Sequence, residues 1–122
     1  VDIESALKEA MQIDGAIGVA LVDYDSGMAL GTLGGGKYLD LDIASAGNTE
    51  VVRAKMRTLA SLQLSESIED ILITLSTQYH LIRLMNRGPS GSLFLYMALD
   101  RSKANLALAR HHLRRIEADL VV

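Results

Sequence analysis

The chain contains no cysteine and no tryptophan, a single phenylalanine (Phe94) and a single proline (Pro89). Each shortage closes off a class of function. Without thiols there are no disulfides and no thiolate metal sites, so a disulfide-stapled secreted scaffold is excluded. The same absence suits a reducing cytoplasm, which is the expected location. Few aromatics leave little to line a small-molecule pocket and require an aliphatic core of Leu, Ile, Val and Ala. No apolar run approaches the roughly 20 residues needed to cross a bilayer, so no membrane insertion is expected. An excess of positive charge is also missing: the formal net charge is -3 at pH 7, whereas a nucleic-acid partner calls for a basic surface.

What remains is 122 residues, 49% of them hydrophobic, enough for one domain with its own core and too apolar for disorder. Asp2 to Gln12 reads as a short amphipathic helix with Ile3, Leu7, Ala10 and Met11 on one face and Asp2 as its cap. After Asp14-Gly15 the period becomes that of a strand from Ala16, apolar on both faces. Tyr24-Asp25-Ser26-Gly27 is a turn, and Met28 to Leu33 returns as the second strand of a hairpin. Gly34-Gly35-Gly36 reads as a flexible surface loop. A long helix is expected from Asp42 to Leu62, with a core stripe of Ala44, Asn48, Val52, Met56 and Leu59. Another of its faces carries Ala46, Glu50, Arg53, Ala54 and Arg57, small residues mixed with charges, which suits either a partner contact or a solvated face.

Three strands follow: Ile68 to Ser76, Tyr79 to Met85, and Ser92 to Leu99. Thr77-Gln78 joins the first pair and Asn86 to Gly91, holding Pro89, the second; such short links favour an antiparallel meander. A closing helix spans Lys103 to Leu120, capped by Ser102, with Leu106, Ala109, Leu113, Ile116 and Leu120 as its apolar stripe. Strands apolar on both faces need covering on both sides, so the pattern implies an α/β domain, 1–122, with helices on both faces of an antiparallel sheet.

One strand matters most. Ile71-Leu72-Ile73-Thr74-Leu75 ends the meander and holds no proline or charge to guard an exposed edge. Pairing with its own copy across a two-fold axis covers it economically, which makes the chain a homodimer; the competing placement of this strand is central in the sheet.

Motifs that imitate chemistry fail on context. Gly31-Thr32-Leu33-Gly34-Gly35-Gly36-Lys37-Tyr38 matches a phosphate-binding loop except that Tyr38 replaces the magnesium-holding hydroxyl, and the preceding strand returns antiparallel in a hairpin. Asp23-Tyr24-Asp25-Ser26-Gly27 is similar to the start of a calcium loop, but the twelfth position is Gly34 instead of a bidentate Glu. His111 and His112 point to different sides of a helix, their neighbours one turn on are Arg115 and Ile116, and His80 sits on a distant strand, so no metal site forms. No nucleophile turn or acid pair stands out. No catalytic residue, cofactor or metal is therefore assigned.

From Gly15 to Gly27 (Gly15-Ala16-Ile17-Gly18-Val19-Ala20-Leu21-Val22-Asp23-Tyr24-Asp25-Ser26-Gly27) the chain resembles the Roadblock family, the dynein light-chain type that includes bacterial gliding-motility regulators. The likeness continues through the long alanine-containing helix and the Ile68 to Ser76 strand. It returns at Leu93-Phe94-Leu95-Tyr96-Met97-Ala98-Leu99-Asp100-Arg101 and at Ala104-Asn105-Leu106-Ala107-Leu108-Ala109-Arg110. The resemblance implies a profilin-like five-stranded antiparallel sheet with one helix on one face and two on the other. It implies dimers joined through the third strand into a ten-stranded sheet, with the second helices packed together.

On this sequence the dimer interface would be Ile68, Ile71, Leu72, Ile73, Thr74, Leu75 and Ser76. The resemblance further implies a non-enzymatic domain that binds and regulates a small Ras-like GTPase, docked on the helix face of Ala46, Glu50, Arg53, Ala54 and Arg57. An arginine finger is conceivable, but nothing selects Arg53 or Arg57 over a plain ion pair. The alternatives are a scaffold subunit of a bacterial signalling complex with no effect on GTP turnover, and a small-ligand sensor of the PAS or GAF kind.

Overall fold

The computed structural model describes residues 1–85 and 91–122; most of the expected turn from Asn86 to Gly91, Pro89 included, lies outside the described residues. Helix α1 (Ile3–Ala10) starts where expected, the Asp2 carboxylate accepting the Ser5 N–H at 2.8 Å. Strands β1 (Ala16–Asp23) and β2 (Met28–Gly34) form the hairpin. Its turn is tied by Asp23, whose carbonyl accepts the Gly27 N–H at 2.7 Å and whose carboxylate accepts the Asp25 N–H at 2.9 Å. Helix α2 (Leu41–Ser61) follows, capped by Asp40, which accepts the N–H groups of Asp42 and Ile43. Then come β3 (Asp70–Thr74), β4 (Gln78–Met85), β5 (Leu93–Asp100) and α3 (Leu106–Asp119).

The strands form one antiparallel sheet in the order β2-β1-β5-β4-β3. Helices α1 and α3 cover one face, packing on Val19, Leu21, Leu81, Leu95 and Met97. Helix α2 covers the other, over Ala20, Val22, Ile82, Phe94 and Tyr96. Central strands apolar on both faces are thus explained by a layer on each side, and β5, in the middle, is buried from Leu93 to Leu99. Phe94 and Tyr96 lie fully inside, so their rings fill much of the space between sheet and α2.

Four local expectations need correction. Ser102 does not cap α3: the Asp100 carboxylate takes both its N–H (2.9 Å) and its hydroxyl (2.7 Å), holding residues 100–104 in a turn, and Asn105 caps the helix through the Leu108 N–H instead. Strand β3 is shorter than Ile68 to Ser76, because the Leu75 N–H turns back to the Gln78 carbonyl (2.8 Å) and Arg101 holds the Leu75 carbonyl (2.7 Å). The stripe of α2 facing the sheet is Leu41, Ser45, Thr49 and Val52, while Ala44, Asn48, Met56 and Leu59 are half-buried at its flank. Small hydroxyl residues can sit there because the helix satisfies them itself: Ser45 Oγ donates to the Leu41 carbonyl (2.6 Å) and Thr49 Oγ1 to that of Ser45 (2.8 Å).

The fourth correction concerns the triple glycine, whose first two members are dictated by a tight crossing. Gly34 and Gly35 both have φ of +75°, and a Cβ there would stand 2.7 Å from the Ile17 carbonyl oxygen and 2.8 Å from that of Leu39 respectively. Lys37 lies over the exposed Tyr38 ring, and the strand before the loop is antiparallel to β1, so the loop forms no phosphate cradle.

Candidate functional site

Two strands end the sheet, β2 and β3. Neither carries proline or lysine, but they differ in regularity. Strand β2 pairs with β1 across a bulge where Leu30 is skipped between Ala29 and Gly31, an irregularity that works against adding a further strand. Strand β3 pairs with β4 without a register break, from Asp70 opposite Arg83 to Thr74 opposite Tyr79. Its one charge, Asp70, is drawn back onto the body of the domain: Arg110 of α3 grips the carboxylate with Nε at 3.0 Å and Nη2 at 2.6 Å. That forked hydrogen bonding raises the Arg110 guanidinium above its ordinary pKa.

The two sides of β3 follow from its pleat. Leu72 packs with the α1–α3 core, while Ile71 packs with the α2 core. Ile73 lies opposite His80 and shares the side of Ile71. Helix α2 lies over β1 and β2, so on that side Ile71, Ile73 and His80 stay half-exposed. Between α2 and β3 runs a groove of about 460 Å³ lined by Val51, Lys55, Leu59, Glu66, Ile68 and Ile71. Its floor and walls are mainly aliphatic, with Lys55 and Glu66 as its free charges of opposite sign.

Of the expected interface residues, Ile71, Leu72, Ile73 and Thr74 lie on the edge strand. Ile68 precedes it and packs on the α2 core, while Leu75 and Ser76 follow it. The α2 contributions Val51, Lys55 and Leu59 were not anticipated as surface; Leu59 was assigned to the core stripe. Their spacing of four residues was the available signal, masked because Leu59 read equally well as core.

The expected partner face of α2 lies on a different side of the helix from this groove. Ala46, Glu50, Ala54 and Arg57 are exposed there. Arg53 is half-buried and occupied: its Nη2 donates to the Asp25 carbonyl in the β1–β2 turn, and its Nη1 stands 3.4 Å from Glu50. Arg53 therefore ties the helix to the hairpin, while Arg57 is the arginine of that face left to project outward.

Beside the groove, His80 joins a small polar network. Its Nε2 stands 2.8 Å from Gln78 Oε1, an acceptor, so that nitrogen carries the proton and donates. Its Nδ1 is then the acceptor for the hydroxyl of the fully buried Tyr96 at 3.2 Å. Burial pushes the Tyr96 phenol up to about 12 and pulls the His80 imidazole below its usual value. The arrangement holds His80 neutral. Among the described residues no cluster of three His, Asp or Glu is placed to hold a metal ion, and no helix is long and apolar enough to cross a membrane.

No family model matches the chain, and no curated protein matches it in sequence. Solved structures do match in fold. A Roadblock/LC7 domain from Streptomyces avermitilis superposes with a TM-score of 0.79 at 11% identity, covering 97% of this chain and 93% of that one. The gliding protein MglB from Thermus thermophilus gives 0.78 at 16% identity, covering 93% and 82%. MglB from Myxococcus xanthus gives 0.73 at 16% identity, covering 93% and 84%. At these identities the likeness is one of fold.

Proposed function

We propose that this chain, which has the Roadblock/LC7 fold, is a non-enzymatic homodimeric interaction domain that binds and regulates a small Ras-like GTPase. The observation that carries the reading is the edge of β3: regular, stripped of free charge by Arg110, and flanked by an aliphatic groove on α2. Pairing two such edges gives one ten-stranded sheet and sets the two α2 helices side by side. The outer faces of both helices then form a doubled platform.

On that platform Ala46 and Ala54 let a partner approach closely, while Glu50 and Arg57 set its orientation. Arg53 supports the platform from beneath by fastening α2 to the β1–β2 turn. This engagement argues against Arg53 as an inserted arginine finger and favours regulation by holding the switch segments of the partner, or, in the alternative, scaffolding without acceleration.

The test uses a small GTPase from the same genome, loaded with GTP or GDP. Arg57→Glu should weaken capture of the GTPase and leave self-association intact. Unchanged capture removes this face from the account. Faster GTP hydrolysis on adding the wild-type chain supports regulation, and capture without acceleration supports the scaffold.

A further inference from the structure

The hydrogen bonds of β3 specify more than a free edge. The Leu84 N–H donates to the Glu69 carbonyl and the Leu75 N–H to the Gln78 carbonyl. With the antiparallel pairing between them, Ile71 and Ile73 also turn their backbone groups toward β4. Asp70, Leu72 and Thr74 therefore present their N–H and C=O groups outward. An antiparallel partner strand can bond only through residues of this outward set. With a second copy as partner, the two-fold axis can pass through Leu72, through Ile71 or through Ile73.

Only the axis at Leu72 uses the whole strand. It sets Leu72 opposite its own counterpart and Asp70 opposite Thr74 in both directions, so every outward group of β3 is paired. An axis at Ile71 or Ile73 leaves one outward residue of each copy to seek Ile68 or Ser76, both beyond the regular strand. We infer that two copies of this chain pair through β3 with the two-fold axis at Leu72. The inference rests on the dimer reading above and fixes its register.

The side chains agree with that register. On the α2 side, each Ile71 comes opposite the Ile73 of the other copy, directly over the two grooves, and aliphatic pairs of this kind stabilise antiparallel neighbours. On the other side the Leu72 pair sits at the centre, and Asp70, neutralised by Arg110, meets the small, uncharged Thr74. No like charges face one another. The groove carries charges of both signs, Lys55 and Glu66, with Asp70 already held by Arg110, so two copies bring no single-sign field together there.

The absence of cysteine makes the test clean. Directly opposed residues of an antiparallel pair have Cα atoms about 4.5–5.5 Å apart, inside the disulfide range of about 4.4–6.8 Å. Shifting the axis by one residue moves like residues apart along the strands by about 6.8 Å and out of that range. Three single variants, Ile71→Cys, Leu72→Cys and Ile73→Cys, are oxidised with copper phenanthroline and run on non-reducing gels, with sedimentation velocity on the wild type. The expected result is a reducible covalent dimer for Leu72→Cys, at least tenfold more abundant than for its two neighbours. Preferential cross-linking of Ile71→Cys or Ile73→Cys overturns the register while keeping the β3 dimer. A wild-type dimer with no cross-link in any variant places the interface elsewhere and overturns it as well. A wild-type monomer at high micromolar concentration fails the underlying dimer reading itself.

Discussion

Replacing Ile73 by lysine puts a charge on the exposed side of β3 and separates the stability of the single chain from its self-association. In the isolated domain Ile73 is half-exposed on the α2 side, opposite His80, so the lysine stem can lie along the strand with its ammonium in water. The cost to folding should stay below about 1 kcal/mol. In the pair, the same position meets Ile71 of the other copy. Losing the part of the side chain still available for burial, about a third of it at most, costs about 0.5–1 kcal/mol per site, and symmetry makes two sites. Drawing the ammonium groups out of water raises the total to about 2–3 kcal/mol, which weakens the dimer by about 30- to 150-fold. Sedimentation velocity across a concentration series gives the dissociation constant, and thermal melts at low concentration give the fold. A dissociation constant within threefold of the wild type would refute the placement of Ile73 at a self-association interface.

Glycine supplies a pair of opposite effects. Gly34→Ala forces a Cβ into a left-handed backbone and against the Ile17 carbonyl, and should destabilise by about 1–3 kcal/mol in urea titration; Gly47→Ala, whose Cβ meets nothing on exposed α2, should stabilise by about 0.5–1 kcal/mol. His80 supplies the pH dependence. Burial holds its folded pKa below the ordinary 6.5, so as pH falls the unfolded chain takes up the proton first. Stability from the neutral imidazole is complete above about 6.5 and is lost as pH falls from there toward the folded value. Melting temperatures of the wild type should drop through this window more steeply than those of His80→Gln, and parallel curves would contradict the network.

The order of elements was legible because the hydrophobic period changes sharply at their borders, and strands apolar on both faces called for a layer on each side. The edge position of β3 was one of two open placements, and the pairing of β1 with β5 that makes both central came from the structure. Local polar competition was not legible. The capture of Ser102 by Asp100 is a choice between two nearby acceptors, and the inward turn of Ser45 and Thr49 depends on helix carbonyls that accept their hydroxyls. Both are settled by geometry that composition does not encode. On α2, Leu59 looked like core because aliphatic residues at helical spacing serve a core and an interface equally; the placement of α2 over β1 and β2, away from β3, puts it on the groove beside Val51 instead. Arg53 and Arg57 were indistinguishable in sequence, and the Asp25 carbonyl separates them.

Residue-resolved hydrogen exchange on β3 tests the pairing of the edge most directly. The Ile71 and Ile73 amides point to β4 and serve as internal standards, whereas the Leu72 amide points out of the domain. Protection of Leu72 should rise with protein concentration until it approaches that of its neighbours. A Leu72 amide that exchanges as freely in the most concentrated sample as in the most dilute, while Ile71 and Ile73 remain protected, would mean that no second strand ever covers it.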